Sequence, residues 1–120
     1  MKNVLLIIVV VLFFSGNCDQ PTEIVRHAPV IKRINVSRTM VYPNEFVDID
    51  ADVYDEDNGE DLTYLWQSTS GRFVNVRNNP TQWQAPGQPD SCIILLTVND
   101  GYFEAAKSTV IVVIAGGNSY

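Results

Sequence analysis

Eight carboxylates crowd one short stretch of this chain: Asp48, Asp50, Asp52, Asp55, Glu56, Asp57, Glu60 and Asp61, with no lysine or arginine among them. Carboxylates this close repel one another unless a cation neutralises them. The run Asp55-x-Asp57-x-Gly59-x-Asp61 sets acids at alternate positions, with a glycine that permits a tight turn. That is the spacing of loops that hold hard cations such as Ca²⁺. It is not a complete EF-hand loop, because the twelfth position, where a bidentate glutamate belongs, is Trp66. Two readings therefore stand side by side. The loop binds Ca²⁺ through some of Asp55, Asp57 and Asp61, or its Asp, Asn and Gly residues simply make solvated turns.

The remaining inventory offers little for catalysis. His27 is the only histidine. It falls in a stretch without period; a metal or catalytic role would need partners that the chain lacks, so it is expected to be a solvated linker residue. Cys92 shares strand parity with Ile94, Leu96 and Val98, so it reads as a small buried hydrophobe rather than a reactive thiol. Paired carboxylates would suit a glycosidase, but so small a β domain has no deep cleft to put them in. No catalytic residue and no required cofactor are expected, Ca²⁺ being the one candidate ion.

The chain opens with Met1-Lys2-Asn3, then eleven apolar residues from Val4 to Phe14, then Ser15-Gly16-Asn17-Cys18. The apolar run is short of the roughly 20 residues that span a bilayer, and it fits the core of an export signal. Small residues followed by Cys18 resemble a bacterial lipobox, although Asn17 stands where Gly, Ala or Ser is usual. The resemblance implies that residues 1–17 are removed and that a lipidated Cys18 anchors the protein to a membrane of the cell envelope, on its periplasmic or surface side. Cleavage near Gly16 would instead give a secreted protein. Asp19 beside the cysteine resembles the inner-membrane retention signal of enteric bacteria.

Loss of Lys2 with the signal takes the formal net charge from −6 to −7. So acidic a chain is a poor partner for nucleic acid or for anionic lipid headgroups. With Cys18 claimed by the anchor, Cys92 has no internal disulfide partner. Residues 18–28 read as a linker, 29–115 as one domain, and 116–120 as a polar tail.

Within that domain every signal is β. The expected strands are Val30–Ser37, Phe46–Tyr54, Leu62–Gln67, Arg72–Val76, Thr81–Gln84, Ser91–Val98 and Ala105–Ile114. In Phe46–Tyr54, Val47, Ile49, Ala51 and Val53 alternate with Asp48, Asp50 and Asp52, an inside–outside pattern. Tyr42-Pro43-Asn44-Glu45 and Asn99-Asp100-Gly101 are turns. About seven strands in a domain this small predict a β-sandwich. Trp66 belongs to its core, whereas Trp83 is expected against a sheet edge.

Three segments resemble a known family. Asp55-Glu56-Asp57-Asn58-Gly59-Glu60-Asp61-Leu62-Thr63-Tyr64-Leu65-Trp66 is similar to the D-x-D-G-D-x-L-x-Y-x-W signature of bacterial immunoglobulin-like domains of the PKD and cadherin-like type. Trp83-Gln84-Ala85-Pro86 resembles their W-x-A-P segment, and Val98-Asn99-Asp100-Gly101 their V-x-D-G turn. The PKD element W-D-F-G-D-G has no counterpart, since Gln67-Ser68-Thr69-Ser70-Gly71 follows Trp66.

The resemblance implies an immunoglobulin-like sandwich. In that fold the acidic loop and the Asn99–Gly101 hairpin share one pole, so Asp100 would join Asp55, Asp57 and Asp61 as a fourth Ca²⁺ ligand. The linker would enter at the same pole. The implied role is a binding or adhesion module for another protein, with carbohydrate a less favoured ligand for Tyr42, Tyr54, Tyr102, Phe103 or Tyr120. The alternative is a structural spacer, or an accessory subunit of a larger envelope complex, stiffened by calcium. The last strand, with Val110, Val112 and Ile114 on one face and Ile111 and Val113 on the other, is expected to be covered on both faces and so favours a docked partner.

Overall fold

A computed structural model of the protein describes residues 25–57 and 61–116. The expected export signal, Cys18, the first part of the expected linker, residues 58–60 and the end of the tail lie outside the described residues. Alternating apolar and polar residues make strands throughout: β1 (Val30–Val36), β2 (Met40–Val41), β3 (Phe46–Tyr54), β4 (Thr63–Ser68), β5 (Arg72–Phe73), β6 (Thr81–Gln84), β7 (Asp90–Asn99) and β8 (Glu104–Val113). They form two four-stranded sheets, ordered β1-β3-β6-β5 and β2-β8-β7-β4. No helix among the described residues is long and apolar enough to cross a membrane.

The two inner faces meet in one apolar core. Val47, Ile49, Ala51 and Trp83 come from the first sheet; Trp66, Cys92, Ile94, Leu96, Val98, Ile111 and Val113 come from the second. Register explains the choice. Trp66 pairs with Leu96 across β4 and β7, and Cys92 with Ile111 across β7 and β8. A strand's side chains alternate between its faces, so those pairs carry their whole parity sets inward. Cys92 is fully buried. Burial, and secondarily the charge of Asp90, raises its thiol pKa and keeps it inert.

Two expectations need correction. There are eight strands, because Met40–Val41 adds to β8 in parallel; two residues after an exposed loop carry no alternation to read. Trp83 is not at a sheet edge. It is fully buried between the sheets, because β5 pairs beyond β6 and makes β6 an interior strand. The last strand has one face in the core and one outside it: Ile111 and Val113 are buried, while Val110 and Val112 are exposed.

The turn Tyr42–Glu45 forms as its residues dictate. Glu45 N–H donates to the Tyr42 carbonyl at 3.3 Å, and Asn44 takes φ +70°. Asparagine is among the few non-glycine residues that adopt this backbone at low cost. The hairpin between β7 and β8 puts Gly101 at φ +98°.

Candidate functional site

The acidic loop follows β3 of one sheet, and the Asn99–Gly101 hairpin follows β7 of the other. Sandwich topology brings them to the same end, as the sequence implies. Carboxylate oxygens of Asp55, Asp57 and Asp100 lie within 4.8 Å of one another. Asp61 lines the same small depression, of about 150 Å³, together with Arg26 and Tyr102. Its carboxylate is not one of the gathered three.

Each carboxylate is oriented by backbone. Asp55 Oδ1 accepts the Asp57 N–H at 2.8 Å. Asp100 Oδ1 accepts the N–H groups of Tyr102 at 2.8 Å and Phe103 at 2.7 Å. Those two donors are the main reason that the Asp100 pKa is lowered. Such side-chain-to-backbone bonds are what Asp contributes to turns. The solvated-turn and cation-loop readings thus share the same local geometry.

His27 brings the surprise. It is exposed, yet its Nδ1 sits 2.9 Å from Asp57 Oδ1, its backbone N–H donates to Asp57 Oδ2, and its Nε2 is 3.8 Å from Glu56. The contact with Asp57 raises the His27 pKa, with help from Glu56, and lowers that of Asp57. One residue earlier, the Arg26 guanidinium lies 3.7 Å from the centroid of the Tyr102 ring. The described end of the linker is therefore docked on the pole, which corrects the expectation of a partnerless, solvated histidine. Its partner Asp57 lies 30 residues away in the chain, so no local pattern marks the contact. The available signal was charge: the pair Arg26-His27 directly precedes the strand that begins at the acidic pole.

Chemically, the pole can hold positive charge. Three oxygens at this separation suit a Ca²⁺ ion bound at 2.3–2.6 Å from each, with backbone and water oxygens completing the shell. Arg26 and His27 already bring positive charge to the same place.

Of the aromatic residues considered for sugar binding, Tyr42, Tyr54, Tyr102 and Phe103 are exposed, and Tyr120 lies outside the described residues. A second surface feature is apolar. On the outside of the second sheet, Met40, Ile93, Val110 and Val112 are 58%, 46%, 47% and 36% exposed. Met40 pairs with Val112, and Ile93 with Val110, so the four side chains form one strip across β2, β8 and β7.

No protein-family model matches the chain, and no curated protein matches it. Among solved structures it is similar to a nucleoside hydrolase-related hypothetical protein from Saccharophagus degradans that is associated with carbohydrate metabolism. The TM-score is 0.54 at 21% identity, over 76% of this chain and 26% of that one. The chain thus spans about a quarter of its neighbour's length, and the likeness extends to the fold.

Proposed function

We propose that this chain is a non-enzymatic, lipid-anchored protein of the bacterial cell envelope. Its immunoglobulin-like domain, of the PKD or cadherin-like type, serves as an interaction module for another protein. The observation that carries this reading is the strip of Met40, Ile93, Val110 and Val112 on an outer sheet face. Polar residues would hold that face in water at no cost to the core, so contiguous apolar side chains there suggest a partner surface. The anchor rests on Val4–Phe14 and Cys18. Nothing about the structural neighbour's own activity is needed for this reading.

A photo-crosslinking residue at position 112 should capture a discrete partner in native envelopes, whereas one at Asp48, on the outside of the other sheet, should not. Adducts from Asp48 alone would reject the strip as the docking face. Changing Cys18 to Ala should move the protein out of the membrane fraction. Retention of that variant on the membrane with Met1 still present would mean an uncleaved anchor instead.

A second reading, a calcium-stiffened spacer, is favoured by the gathering of Asp55, Asp57 and Asp100. Calcium there would relieve carboxylate repulsion and stiffen the loop after β3 against the hairpin between β7 and β8.

A further inference from the structure

Residues Val25 to Val30 run across the open end of the sandwich. Val30 enters β1 opposite Tyr54, and Pro29 is buried. His27 is held through both its backbone and its ring by Asp57, in the loop after β3. Arg26 stacks over Tyr102, in the hairpin between β7 and β8, and lines the depression that Asp55, Asp57, Asp61 and Asp100 also line. β3 belongs to one sheet and the hairpin to the other. Two adjacent side chains of one short segment therefore touch both halves of the sandwich.

We propose that residues 25–29 are a strap. Arg26 and His27 seat in the acidic pole, tie the β3–β4 loop to the β7–β8 hairpin, and fix the direction in which the chain leaves the sandwich. The pole is thus an interaction surface whose partner is the chain's own Arg-His pair. A guanidinium fits it for two reasons. Its flat face packs on the phenol ring of Tyr102, and its charge is compensated by the surrounding carboxylates. His27 adds a hydrogen-bonded contact to Asp57 from its ring and a second from its backbone, a pairing that an isolated surface ion pair lacks.

The strap does not depend on the proposed role. It adds to that role a defined exit from the sandwich, with residues 25–29 held against the acidic pole. A freely jointed linker in the same place would leave Arg26 open to solvent and protease.

Trypsin tests this directly, because it cuts after Arg26. The full-length chain in detergent micelles is digested briefly, and the cut between Arg26 and His27 is followed by mass spectrometry. Proteolysis under these conditions tracks the population of the open segment. The wild type should be cut at Arg26 about tenfold more slowly than the Asp57→Asn/Tyr102→Ala double variant, whose near-ultraviolet circular dichroism should match wild type. Equal rates in the two folded proteins would overturn the strap.

If the double variant does not fold, the wild type alone decides. Its NMR spectrum should show contacts from the Arg26 δ-protons to the Tyr102 ring, and those protons should be shifted upfield by the ring. Their absence in the folded wild type would overturn the proposal equally. Neither readout depends on a partner at the apolar strip, so failure here leaves the docking reading untouched, and failure there leaves the strap.

Discussion

Asp57 and His27 illustrate how an exposed pair gains meaning from geometry. The histidine's raised pKa and the carboxylate's lowered one have the same first cause, the contact between the two side chains. A raised histidine value stabilises the folded protein fully below the histidine's unfolded value and loses that contribution as pH rises through the folded one. A lowered carboxylate value contributes above its own unfolded value and loses that contribution as pH falls through the folded one. The contact is consequently strongest between those limits, from mildly acidic to near-neutral pH. We expect the His27 ring protons to titrate with a midpoint above the usual ~6.5 and to move back towards it in Asp57→Asn. A wild-type midpoint at or below the free-histidine value would mean that the ring leaves Asp57 in solution.

The turn after β4 ties the two sheets together. Trp83 is fully buried on β6, and its indole N–H is taken up by this turn, at 3.2 Å from Ser68 Oγ and 3.1 Å from the Ser70 carbonyl. Thr69 anchors the same turn to β7: its N–H donates to the Ile93 carbonyl, and its hydroxyl accepts the Ile93 N–H. Trp66 is satisfied in the same way, by the Asn78 carbonyl at 2.7 Å.

Such close packing requires Gly71. It sits at φ +76°, and a Cβ there would lie 2.5 Å from the Gln84 carbonyl oxygen and 2.6 Å from the Trp83 ring. Gly71→Ala should therefore cost at least about 2 kcal/mol, combining backbone strain with overpacking. Gly87→Ala, where the nearest atom outside its chain neighbours is Asn44 Oδ1 at 3.7 Å, should be close to neutral. Denaturant melts of the two variants give the comparison. Equal losses would mean that the turn does not bear on Trp83 as described.

On the scale of the whole molecule, the acidic pole is where the ends of both sheets, the hairpin and the linker converge. Calcium and the strap draw on the same carboxylates, so they should compete. Millimolar calcium should raise the melting temperature over that in chelator, since binding to the folded state stabilises by mass action. The rise should be larger in Arg26→Ala, where no guanidinium contends for the depression. Affinities of only ~10⁻⁴–10⁻³ M are common in extracellular modules, so the titration must reach that range. Unchanged melting in both proteins would leave the loop as a solvated turn.

Much of this is written in the sequence. The alternation Val47, Ile49, Ala51 against Asp48, Asp50, Asp52 defined β3 to the residue, because a period of two is written locally. Cys92, Ile94, Leu96 and Val98 are buried for the same reason. The turn at Pro43-Asn44 was legible in its residue types, and the convergence of Asp55, Asp57 and Asp100 followed once an immunoglobulin-like sandwich was inferred. What local sequence could not supply was pairing at long range. The interior place of Trp83 depends on β5 closing beyond β6. The solvent-facing side of β8 depends on what else in the chain reaches it. The docking of Arg26 and His27 depends on the antiparallel β1–β3 register, which starts at Val30 opposite Tyr54 and sets residue 27 against residue 57. A strand's pattern says which side faces the core, but only the closed sandwich says which distant side chains meet at its ends.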